Sequence, residues 1–124
     1  MFNQTKITKE SATTSKNILF CTEGAISVGV VVSAADAVTE GSRKFVKAGT
    51  PLTGSLEART TAFTKGSANA VGILLHDVEV TNGDANGTLL IAGYVNPERI
   101  DTTTASLITA EVKTALKGNI TFVK

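Results

Sequence analysis

From residue 18 onward, apolar positions recur in short runs, many with a period of two, the pattern of strands rather than helices. "ILFCT" (18–22) and "AISVGVVV" (25–32) read as two strands parted by Glu23–Gly24. In the second, Ile26, Val28, Val30 and Val32 share one face, and Ser27, Gly29 and Val31 the other. A connection with a glycine turn (33–43) leads to "KFVKAGTPLTG" (44–54), a short strand, a Gly–Thr–Pro turn and a second short strand. Residues 55–68 read as loop.

The most apolar stretch, "NAVGILLHDVEV" (69–80), predicts one strand buried on both faces up to Leu75. Beyond that point Val78 and Val80 stay apolar while Asp77 and Glu79 face water. "TNGDANGT" (81–88) then closes a hairpin, and "LLIAGYV" (89–95) returns until Pro97 stops it. One helix is predicted over 101–119, where Leu107, Ile108, Val112, Ala115 and Leu116 share a face. Asp101 or one of Thr102–Thr104 caps its start, and Gly118 ends it. A strand over 120–123 closes a mainly β (α+β) fold: a small barrel-like or sandwich-like domain over 18–124 with one C-terminal helix. Residues 1–17 are polar, with only Met1, Phe2 and Ile7 as sizeable apolar groups, and predict a flexible N-terminal arm.

Composition narrows the function. With 42% apolar residues the chain is globular, and with 5% aromatics and no Trp it offers few stacking platforms for sugars or bases. Net charge is +1 and no basic stripe occurs, so nucleic acid is not an expected partner. The longest basic cluster, "SRKFVK" (42–47), reads as a solvated strand end. No stretch has the length of a signal peptide's apolar core or a membrane span, so the expectation is an unexported chain with no membrane partner.

Candidate chemistry is thin. Cys21, the single cysteine, lies among apolar neighbours and reads as a buried thiol. His76 is the only imidazole, and no G-x-S-x-G elbow accompanies it, so a hydrogen-bonded histidine at a strand edge is expected. Asp77 and Glu79 share a strand face, as carboxylates on a solvated face do by default. "NGDANG" places Asn82, Asp84 and Asn86 as in the first half of a calcium loop, but Gly93 stands where a bidentate Glu belongs. Phosphate-binding glycine loops are absent. No enzyme, no metal and no cofactor is therefore expected.

The order of segments carries a resemblance. "TPL" at Thr50–Leu52, "AVGIL" at Ala70–Leu74, "GTLLIAGYV", a helix and the closing glycine-then-strand at Gly118–Val123 resemble the head decoration (cement) proteins of tailed bacteriophages. The match spans roughly residues 44–124. It implies a small homotrimer on the outside of a capsid at threefold positions, made in the host bacterial cytoplasm. It also implies an N-terminal arm that orders on the major capsid protein. Strand addition would then use the backbone at Phe2, Thr5, Ile7 and Thr8, with Phe2 and Ile7 as apolar pegs. The alternatives are an adhesive or carbohydrate-binding β-module, such as a head-fibre base, and a barrel-type carrier or accessory domain.

Overall fold

In the computed structural model, which describes residues 17–123, the apolar and β-branched runs form nine strands. β1 (Leu19–Val32), β2 (Val38–Glu40), β3 (Arg43–Val46), β4 (Pro51–Thr53) and β5 (Thr64–Lys65) occupy the first half. β6 (Gly72–Leu74), β7 (Val78–Glu79), β8 (Ala85–Val95) and β9 (Ile120–Phe122) follow, with helices α1 (Thr102–Ala105) and α2 (Ala110–Ala115) ahead of β9. The fold is mainly β, as the patterning predicts. Its two sheets are packed together and open, not closed into a barrel.

One sheet runs β1-β8-β6-β4-β5, with β9 joining β8 in parallel; the other runs β2-β3-β7. The larger sheet is the middle of three layers. On one side Ile73, Leu90 and Val95 pack with Ile100, Val112 and Leu116 of the C-terminal helical region. On the other, Leu74 and Leu89 pack with Val46 and Val78 of the small sheet. β6 is thus buried on both faces, which is why its sequence is a continuous apolar run. Gly72 is required there: a Cβ would lie 2.5 Å from the carbonyl oxygen of Leu90.

Several elements differ from expectation. The stretch 69–80 is two strands in two sheets. Leu75 still donates to the Thr88 carbonyl of the large sheet (2.9 Å), whereas Val78 already pairs with Val46 in the small one. A chain that changes sheets at a corner keeps Leu74, Val78 and Val80 in the same core. Consequently β7 and β8 are not a hairpin: β8 pairs with β6 through Ile73↔Leu90 and Leu74↔Leu89, and only Thr81–Asp84 form the turn.

The two strands expected over 18–32 are one. Pairing jumps from Cys21↔Tyr94 to Ile26↔Ala92, so Glu23–Gly24 is absorbed as a bulge, with Gly24 at φ +74°. The single helix expected over 101–119 is broken. Ser106 donates to the Thr103 carbonyl (2.6 Å), and the Thr109 hydroxyl accepts from Val112 N–H, capping a new helix. Hydroxyl side chains compete for the backbone of a continuous helix, and here they win. Gly118, at φ +91°, does end the second helix as expected. Finally, the loop 55–68 supplies Phe63, a fully buried ring over which Gly54 leaves room.

Candidate functional site

Phe2, Thr5, Ile7 and Thr8 lie outside the described residues, but the first described residues are firmly placed. Ile18 is fully buried, and its carbonyl accepts from Asn96 N–H at 2.8 Å. The Asn17 side chain accepts from Leu19 N–H at 3.1 Å. Arg99, held in the 3-10 turn Pro97–Arg99, reaches back to the carbonyls of Leu19 (3.3 Å) and Asn17 (3.5 Å). Asn17 and Ile18 are therefore fixed at one place beside the ends of β1 and β8. Arg99 was not singled out by sequence, because nothing in its spacing ties it to a segment eighty residues earlier.

The polar constellations do structural work. Asp77 accepts from Ala48 N–H (2.7 Å), holding the corner where the chain changes sheets. Glu79 takes a two-pronged contact from Arg43 Nε and Nη2 (3.1 and 2.9 Å) and a third bond from the Thr81 hydroxyl (2.9 Å). Those donors, Arg43 foremost, hold the Glu79 carboxyl down at about 2. Both carboxylates are exposed, as expected of a solvated face, and each is engaged by a different partner. His76 is exposed beside them.

The "SRKFVK" cluster is solvent-exposed at Arg43 and Lys44, as expected of a strand end, and two of its cations are paired. Arg43 pairs with Glu79, and Lys47 pairs with Glu40 at 2.7 Å. Both cations also sit over the Phe45 ring, 5.3 and 5.4 Å from its centre. Asp84 accepts from Ala34 N–H (2.9 Å), and Asn86 pairs with Val31 in the β1–β8 ladder, so Asn82, Asp84 and Asn86 are not gathered as ligands. Among the described residues no group of three or more His, Cys, Asp or Glu side chains is placed to hold a metal ion. Cys21 is half-buried, not fully buried, opposite Tyr94. Among the described residues no helix is long and apolar enough to cross a membrane.

No protein-family model matches the chain, and no curated protein matches it.

Proposed function

We propose that this chain is a structural virion protein that binds the outer surface of a bacteriophage capsid, as trimers at threefold positions, and reinforces the shell. Its work is binding, not catalysis, and its partners are the major capsid protein and copies of itself. The observation that carries the reading is where the resembling segments fall. Thr50–Leu52 and Ala70–Leu74 pair directly, Pro51 with Ile73 and Leu52 with Gly72, and Leu74 N–H donates to the Thr50 carbonyl (2.9 Å). The pieces that resemble the decoration proteins are thus one buried ladder at the centre of the body. The fixed place of Asn17, from which a polar, threonine-rich arm would depart, adds support. Such an arm gains affinity through backbone bonds to a sheet edge, which demands little of its side chains.

The experiment is imaging of capsids with and without the purified chain. Regular knobs at every threefold position are expected. A few isolated protrusions would replace this reading with a fibre base, and bare capsids at saturating protein would end it.

A further inference from the structure

The largest exposed apolar side chains of the big sheet share one face. Leu19 and Val95 are Cα partners buried against the helical layer, so strand alternation turns Tyr94 to the opposite side, and the bulge between Leu19 and Cys21 sets Phe20 and Cys21 together opposite Tyr94. Ala25 packs on the helical layer as well, which turns Ile26 the same way as Phe20. Farther along β1, the small sheet covers this face over Val30 and Val32. It does not cover Phe20, Ile26 and Tyr94, which are 47%, 55% and 43% exposed. An aromatic and aliphatic patch of this kind on adjacent strands marks an interaction surface.

The same strands restrict what can sit there. An added peptide strand would need the free edge of β1, and over Gly29–Val31 that edge is closed. Val31 N–H donates to the Arg59 carbonyl, Phe63 N–H donates to the Val31 carbonyl, and Arg59 Nη1 donates to the Gly29 carbonyl (2.8 Å). Beyond Gly29, three register shifts and the positive φ of Gly24 twist the remainder away from a straight ladder. The occupant is therefore a folded surface. Charge narrows it further: β1, β8 and β9 together carry one carboxylate, Glu23, and no Lys or Arg. Apart from Arg99 at the Leu19 carbonyl, a charged partner finds little counter-charge here, whereas a copy of the same patch meets little repulsion. Interfaces between identical subunits are the more apolar class.

We infer that Phe20, Ile26 and Tyr94 form the seam at which copies of this chain assemble. The inference rests on the trimeric assembly proposed above and assigns it a surface. The test is sedimentation analysis of the full chain and of Phe20→Thr, Ile26→Thr and Tyr94→Thr, all strand-compatible changes at exposed positions. Val38→Thr is the control, another exposed apolar residue (48%) on the other sheet. Circular dichroism and melting establish that each variant is folded. Wild type and the control are expected to be trimers, and each patch variant to associate about tenfold more weakly or worse. Patch variants that keep the wild-type mass would overturn the seam, as would a wild type that stays monomeric. Capsid binding by the wild type, measured separately, shows whether the proposed function falls with it. Variants that remain trimeric but no longer bind capsids would instead place the patch against the shell, and the inference would be wrong.

Discussion

Glu79 shows how a single side chain ties pH to stability. Its carboxyl sits at about 2 in the folded chain, well below the ordinary 4.5, because Arg43 and Thr81 donate to the ionised form. A depressed carboxyl pKa contributes stability that is fully present above the unfolded value and is lost as pH falls through the folded one. Glu79→Gln should therefore lower the melting temperature at pH 7. The gap from wild type should shrink below about pH 4.5 and close near pH 2. A gap independent of pH would mean that the Arg43 pair is not its source. The pair is exposed, and solvent screening keeps the effect small. His76 is exposed, so His76→Gln should change stability by within about 0.5 kcal/mol in thermal melts. Loss of capsid attachment by that variant would make it a contact residue instead.

Among the elements, what was legible is what a local pattern determines. The doubly buried character of Gly72–Leu74, the stop at Pro97 and the role of Gly118 each follow from residue type at one place. What was not legible depends on partners far along the chain. Val78 and Val80 look like the end of one strand, because a strand that bends into a second sheet keeps its alternation. Only the bond from Ala48 N–H to Asp77 marks the corner. Phe63 lies in a segment without periodicity; its N–H is held by the Val31 carbonyl and its ring is buried with Val30, Val32 and Leu89, all distant in sequence. The helix failed for a local reason that periodicity does not register, the hydroxyls of Ser106 and Thr109. Element-level energetics follow the structure. Leu74 is fully buried between the sheets, so Leu74→Ala should cost about 2–5 kcal/mol in denaturant unfolding. A smaller loss would mean that the two sheets close over the cavity.

At the scale of the whole molecule, the proposed capsid binding assigns separate roles to the body and to residues 1–16. Among the described residues, the buried members of the two cores run from Ile18 to Ile120 on the helical side and from Val30 to Leu89 on the other. Removing residues 1–16 should therefore leave the melting temperature nearly unchanged. The cut belongs there and not one residue later, because Asn17 bonds Leu19 and Arg99. The same truncation should abolish or greatly weaken attachment to capsids in a co-sedimentation assay. Ordering an arm costs roughly 1–2 kcal/mol per residue, so no single contact suffices, and several backbone bonds must form together. A proline at Thr5 or Thr8 removes one ladder donor and should weaken attachment without touching the fold. In the proposed trimer three arms would multiply the effect, provided that they leave it close together. The seam at Phe20, three residues after Asn17, would place the three roots around one axis. Patch variants that separate the subunits should then lose capsid affinity even though their arms are intact. If the truncated protein still coats capsids at full occupancy, the body makes the contact and the arm mechanism fails.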